Sequence, residues 1–591
     1  MKKQKALTPL LTVWGETIDK TCPLNDYPRP QMARSQWQCL NGLWDYAMRK
    51  DAAVPTEWDG KILVPFSPEA VLSGVGRQLL PGQSLWYRRA VQFEWPQDGE
   101  HLLLHFGAVD QHCIVFCNGK IAGSHSGGYW PFCFDITEFA VKGENILNVC
   151  VTDDSDTGDE AYGKQRLRRG GIWYTGQSGI WQTVWCETVP AQYIQSMSIT
   201  PQYSRGEVEV AVTPSDKNVC LQGSVQVYDG TRKIAESVLS ENTACLEIPA
   251  FKSWSPEQPF LYTMKVTAGQ DQVESYFGMR EFSIIQGKQG NPCMALNGKP
   301  ILQNGLLDQG YWSDGLYTAP AEDAIVWELE QIKAQGFNML RKHIKVEPLR
   351  WYYHCDRIGL LVWQDFVSGG HPYQPLVIQY APWLGFQFKD NHYKRFGRES
   401  EAGRRNFMRD AVRTMDLLYN AVGLCVWVPF NEGWGQFDAE KIARMVREKD
   451  PTRAIDHASG YHDQGAGDFH SYHIYYKRFR PKEDKIKRVL ALTEFGGFSL
   501  AEKGHTASKK LFGYKIFTSK QALAEALCNL YAQDVLPQLT AGLGAVIYTQ
   551  VSDVEDEING LFSYDRKVMK PDADCFCKIN EQLYRAFDLT K

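Results

Sequence analysis

Three rhythms of apolar positions succeed one another along this chain. Through residues 1–190, short apolar runs such as HLLLHF (101–106), CIVFC (113–117) and NILNVCV (145–151) alternate with Gly, Asn and Asp turn signals, and Asn118-Gly119 marks a hairpin. This pattern predicts a jelly-roll-like β-sandwich. Over 191–285 the alternation is strict: EVEVAVTP (207–214) repeats with period two, and Asp229-Gly230 divides SVQVYDGTRKIAES into two alternating halves. A segment of this length and period predicts an immunoglobulin-like β-sandwich.

From 286 to 591 continuous apolar strands alternate with amphipathic stretches. PILQNGLL, FNMLRKH, GLLVWQDF, GLCVWVPFNE, AIDHASG, DFHSYHIYY, VLALTEFGG and GAVIYTQVSD are the strand candidates. Between the first two lies EDAIVWELEQIKAQGFN, where Ile325, Leu329 and Ile332 share a helical face and Gly336 supplies the stop. Strand–helix units in this number predict a (β/α)8 TIM barrel, whose chemistry sits at the C-terminal strand ends. Polar residues interrupt the strands there, at Asp308, Arg341, His343, Asp365, Glu432, His457, Tyr472, Glu494 and Gln550.

Composition narrows the function. A formal net charge of −5 with 23% charged residues offers no basic surface for a phosphate backbone, so nucleic acid is not an expected partner. No apolar run is long enough to span a bilayer, and the start MKKQKALTPLLTVWGETIDK carries no signal-peptide pattern, so a cytoplasmic location and no membrane partner are expected. The 15 cysteines lie scattered through strand-like segments and read as free core thiols. The chain shows no metal-ligand spacing, and no cofactor is called for. The 18 Trp and 28 Tyr exceed what core packing demands and suit the apolar faces of sugar rings.

The fourth strand, LCVWVPF, runs almost without a polar atom into Asn431 and Glu432, and the seventh ends in Glu494. Two glutamates at one barrel mouth meet the need of glycosidic cleavage, in which one carboxyl protonates the leaving oxygen while the other attacks or activates water.

With these residues in hand, the chain resembles glycoside hydrolase family 2, the family of bacterial β-galactosidases, β-glucuronidases and β-mannosidases. The likeness rests on SLWYRRAVQF, CNGKIAGSHSGGYWPFCFDIT and SGIWQTVWCE in the first sandwich, and on LNGKPILQNG, GFNMLRKH, WYYHCDRIGLLV, WVPFNEGWG and TEFGG in the barrel. It implies that Glu432 is the general acid/base and Glu494 the nucleophile of a retaining exo-glycosidase, with carboxyl groups about 5 to 5.5 Å apart. It also implies that Asn431 binds the sugar 2-hydroxyl, that Arg341 holds the nucleophile ionised, and that Tyr472 is the tyrosine beside it. Trp434 would wall the sugar or its leaving group. Oligomerisation is a family habit, which makes a homo-oligomer an expectation.

The chain departs from the family in two places. At RKHIKV (341–346), His343 and Ile344 replace the Ser-His that serves galactose in many relatives. At DVEDEINGLFSYDR (553–566) the segment is acidic where β-glucuronidases carry Asn-x-Lys. Like charge near a uronate costs binding, so a neutral, β-galactoside-like sugar is expected ahead of glucuronide. Tyr548 and Gln550 are expected on the pocket floor, and His371 in a loop. The competing readings are a family 2 enzyme for α-L-arabinofuranose or β-galactofuranose, a barrel endo-glycanase, and a silent carbohydrate-binding protein.

Overall fold

The computed structural model describes residues 7–288 and 290–590. The first region is a sandwich of a six-stranded and a four-stranded antiparallel sheet, closed over a core that includes Trp44, Tyr87, Leu104, Val115 and Val149. Its predicted hairpin joins His112–Cys117 to Lys120–Ser126. Asn118 and Gly119 both take the left-handed conformation a two-residue turn requires (φ 50° and 78°).

The second region packs a three-stranded on a four-stranded sheet. In Glu207–Pro214, Val208, Val210 and Val212 point inward as the alternation predicts. A hairpin of Phe282–Gln286 and Pro292–Leu296 then leads into the barrel, whose lower end it plugs with Met294 and Leu296.

The barrel strands are β1 (Gln303–Asp308), β2 (Met339–Lys342), β3 (Leu361–Asp365), β4 (Leu424–Val428), β5 (Ala454–Ile455), β6 (Phe469–Ile474), β7 (Val489–Gly496) and β8 (Leu543–Thr549), all parallel, in the order β5-β4-β3-β2-β1-β8-β7-β6. Each predicted strand is present. The gap between β5 and β6 is bridged by Asp468, whose N–H donates to the Ile455 carbonyl and whose carboxylate accepts from the Ile455 N–H, both at 2.8 Å. Helix α1 (Glu322–Ala334) buries Ile325, Leu329 and Ile332 and ends before Gly336 (φ 86°).

The sandwich closes over the barrel mouth. Trp130 Nε1 donates to Thr414 Oγ1 (3.0 Å), and Thr318 Oγ1 donates to the Trp181 carbonyl (2.6 Å). Of the cysteines expected in the core, Cys133, Cys220, Cys245 and Cys528 are exposed instead. No helix among the described residues is long and apolar enough to cross a membrane.

Candidate active site

β4 delivers Glu432 by a turn in which Glu432 itself is left-handed (φ 50°), followed by Gly433 (φ 76°) and Gly435 (φ 62°). A non-glycine residue held there stores strain, a feature concentrated at functional sites. β7 delivers Glu494 through a register irregularity between Leu492 and Phe495. Leu490 and Leu492 face the helices while Val489 and Ala491 face the barrel interior. Strict alternation would therefore turn Glu494 outward; the irregularity re-aims it into the mouth.

The two glutamates meet. One oxygen of each, together with a ring nitrogen of His473, lie within 4.8 Å of one another. His473 Nδ1 is 2.8 Å from Glu432 Oε1 and 3.5 Å from Glu494 Oε2. Burial depresses the His473 imidazole to about 4, so the ring is neutral near pH 7. Two carboxyls face Nδ1, which favours the proton there, and Nε2 lies 3.2 Å from Ser459 Oγ and 3.5 Å from Arg341 Nη1.

The surroundings of the two carboxyls differ. Glu494 accepts from Tyr475 OH (2.6 Å) and from Arg341 Nη1 (3.3 Å). Glu432 has no cation in contact; burial pushes it up to about 7, with Lys164, Arg341 and the Tyr461 hydroxyl pulling back. Burial also raises Glu494, partly offset by His473 and Arg341. Arg341 is fully buried and grips Asp365 through Nε (2.9 Å) and Nη2 (3.1 Å). Its Nη2 also donates to Asn431 Oδ1 (2.9 Å), which leaves Asn431 Nδ2 buried without a partner. His343 Nδ1 lies 2.8 Å from Asp365 Oδ2. Trp434, 2% exposed, sits among His343, Trp173 and Tyr373, with ring centroids 6.0, 4.9 and 6.4 Å away.

Comparison with known proteins follows the same division of the chain. Residues 81–190 match the sugar binding domain of glycosyl hydrolases family 2, residues 192–280 match the family's middle domain, and residues 289–571 match its TIM barrel domain. The chain belongs to glycoside hydrolase family 2. A putative β-glucuronidase of Formosa agariphila is 28% identical over 296 residues, covering 47% of this chain and 34% of that protein. A β-galactosidase of Aeromonas hydrophila is 25% identical over 403 residues, 64% of this chain and 36% of that one. This glycoside hydrolase thus spans about a third of the length of these curated relatives. The structure of the Dictyoglomus thermophilum β-D-glucuronidase superposes with a TM-score of 0.73 at 16% identity, covering 95% of this chain and 98% of that one.

Within this family 2 site, Asn431, Arg341, His343, Asp365 and Trp434 gather around Glu432 and Glu494, whereas four expected residues do not. Tyr472 faces away: its hydroxyl accepts from the Lys482 N–H (3.1 Å). Alternation along β6 explains this, since Phe469, Ser471, His473 and Tyr475 share the inward parity and Tyr472 has the other. Tyr475 takes its place on Glu494. Asp308 pairs with Lys342 Nζ (2.5 Å) in a separate network with Glu347 and Lys345. His457 is held by Asp463 (3.1 Å) and the Gln464 N–H (3.1 Å) in the β5–β6 loop. Gln550 is locked below the mouth between Gln309 (2.7 Å) and Asn559 (2.9 Å). Tyr548 also misses the pocket, packing on Phe495 and Phe576 in the layer between barrel and helices. His371 stays half-exposed, 3.8 Å from Asp159.

The residues missed by sequence reading come chiefly from loops and from the sandwich. Tyr514, in the lysine-rich segment after β7, stacks flat on Tyr475 at 3.8 Å. The acidic segment after β8 is neutralised. Asp553 pairs with Lys570 (2.5 Å), Asp556 with Arg169 (2.7 Å), Glu555 accepts from the Thr175 N–H (3.0 Å), and Glu557 accepts from Tyr174 OH. These contacts latch the sandwich to the barrel, and Glu557 stays close enough to Glu432 to help raise its pKa.

Proposed function

We propose that this family 2 enzyme is a retaining exo-glycosidase acting through a covalent glycosyl-enzyme. The observation that carries the reading is the approach of Glu432 and Glu494 to within 4.8 Å through their oxygens. That separation is nearer the about 5–5.5 Å of retaining enzymes than the about 6.5–9.5 Å of inverting ones.

Glu494, which accepts hydrogen bonds from Arg341 and Tyr475, attacks the anomeric carbon. Glu432, protonated near neutral pH, gives its proton to the departing oxygen. As a carboxylate it then takes a proton from the water that releases the sugar. The free Asn431 amide is placed to donate to the sugar 2-hydroxyl, a contact that strengthens as charge develops at the anomeric centre. Neutral His473 donates Nδ1–H between the two carboxyls and keeps both side chains in register. Walls from the sandwich loop around Trp173 and from Tyr373 and Trp434 favour a pocket for one terminal sugar over an open cleft.

Relatives named β-galactosidase and β-glucuronidase support a β-linked hexopyranosidic sugar. A panel of p-nitrophenyl glycosides followed by proton NMR tests the reaction: the first-formed product is the β-anomer of a β-glycoside substrate. First formation of the α-anomer overturns retention, and internal cleavage of a polysaccharide overturns exo action.

A further inference from the structure

We infer that Lys164 is a specificity-determining residue and that the terminal sugar it selects carries an anionic group, a carboxylate on the ring. The inference rests on the exo-glycosidase reading above and deepens it.

Lys164 belongs to the sandwich, yet its backbone is fastened to the barrel. The Tyr162 and Gly163 N–H groups donate to the Ser368 carbonyl (3.0 and 2.9 Å), and Tyr162 OH donates to the Gly370 carbonyl (3.0 Å). Gly163 is left-handed (φ 61°), and a Cβ there would come 2.8 Å from the Ile344 carbonyl oxygen. The loop is therefore seated directly on the turn that follows Arg341 and His343. The lysine is held in place by main chain rather than by solvent-exposed contacts.

The side chain is largely buried and its ammonium has no anionic partner among the described residues. Lys164 is 6% exposed, with Nζ over the rings of Tyr174 and Trp434, 5.3 and 5.4 Å from their centroids. It makes no hydrogen bond or ion pair with any described residue. The other buried lysines are all paired: Lys342 with Asp308 and Glu347, Lys345 with Glu347, and Lys570 with Asp553. An ammonium removed from water without an anion is costly, and π faces compensate only part of that cost.

Lys164 acts on both Glu432 and His343, and on Glu432 it is the strongest positive influence. Glu432 is protonated when it serves as general acid. At the moment of substrate binding the ammonium, seated over the Trp434 ring and within electrostatic reach of Glu432 and His343, thus has no matching anion in them. A sugar carboxylate supplies the missing charge there. In the acidic segment 553–557, Asp553 and Asp556 are paired with Lys570 and Arg169, Glu555 accepts from the Thr175 N–H, and Glu557, which also helps raise Glu432, accepts from Tyr174 OH.

The test compares matched p-nitrophenyl substrates, β-D-glucuronide against β-D-glucoside and β-D-galacturonide against β-D-galactoside, with 6-sulfo-β-D-galactoside as a second anion. The wild type is expected to prefer the uronide in at least one pair by about 100-fold in kcat/KM. Lys164→Met is expected to lower that preference about 30-fold or more, mainly through KM, and Lys164→Arg to keep most of it. A folding defect lowers both members of a pair in proportion and leaves the ratio unmoved; melting temperatures and the arginine variant separate the two effects. Preference for the neutral member of both pairs overturns the inference, as does a proportional loss in Lys164→Met with Lys164→Arg unimpaired. Turnover of the sulfated sugar alone overturns the carboxylate. Hydrolysis of neutral glycosides that still requires Glu494 leaves the exo-glycosidase reading standing while this one falls. No turnover of any glycoside removes both.

Discussion

The ends of β4 and β7 present the same side chain to the same space under opposite conditions. Glu494 is met by donors: the Tyr475 hydroxyl at 2.6 Å and the Arg341 guanidinium at 3.3 Å. Glu432 emerges from LCVWVPF, is met by the neutral imidazole of His473 and the Tyr461 hydroxyl with no cation in contact, and is pushed up to about 7 by burial. We propose that these surroundings divide identical chemistry into a carboxylate that attacks and a carboxylic acid that gives a proton, although burial raises both. The division lies in what surrounds each glutamate, and it breaks where those surroundings are removed.

The largest effect is expected at the attacking residue. Glu494→Gln should lower kcat/KM by on the order of 10⁴-fold or more, measured with the best p-nitrophenyl glycoside of the panel. Glu432→Gln should cost about 10²–10⁴-fold with poor leaving groups and less with p-nitrophenol, which departs without a proton. Its pH profile should also lose the fall in rate that the wild type shows as pH rises through about 7. Equal losses for both leaving groups would remove Glu432 from the acid role.

The same raised carboxyl affects stability, with a definite sign. Its folded value near 7 lies above the 4.5 of an ordinary glutamate, so the contribution is fully present below pH 4.5 and is lost as pH rises through 7. Chemical denaturation should show Glu432→Gln gaining about 3 kcal/mol on the wild type between pH 4.5 and pH 8. A difference that does not vary with pH would show that Glu432 is not held in a low-polarity setting.

A smaller effect sharpens the contrast. Removing the hydroxyl in Tyr475→Phe takes a donor from ionised Glu494, so kcat/KM should fall about 10-fold or more and the acid limb of the pH profile should move to higher pH. Tyr472→Phe, three positions earlier on the opposite face of β6, should change kcat/KM by less than about threefold. Reversal of these two results would place the strand parity, and with it the site, in the wrong register.

The barrel was legible because its strands are buried on both sides and read as continuous apolar runs, and because Glu432 and Glu494 end two of them. Tyr472 was misread because spacing from a motif was followed where the alternation of Phe469, Ser471 and His473 already pointed to Tyr475. The position of Glu494 depends on a register irregularity that no local pattern announces. Lys164, Tyr174 and Tyr514 were not legible at all as site residues. Their approach is set by packing between regions far apart in sequence, as when Gly163 meets Ile344. The acidic run 553–557 was read as a field facing the substrate because most of its partners, Arg169, Tyr174 and Thr175, lie in another domain.

The most direct measurement of the division between the two glutamates is peptide mapping by mass spectrometry after the enzyme is incubated with a 2-deoxy-2-fluoro glycosyl fluoride of its preferred sugar. The account predicts one equivalent of covalent sugar on the peptide carrying Glu494 and none on that carrying Glu432. Label on Glu432, or full inactivation with neither peptide modified, would contradict it.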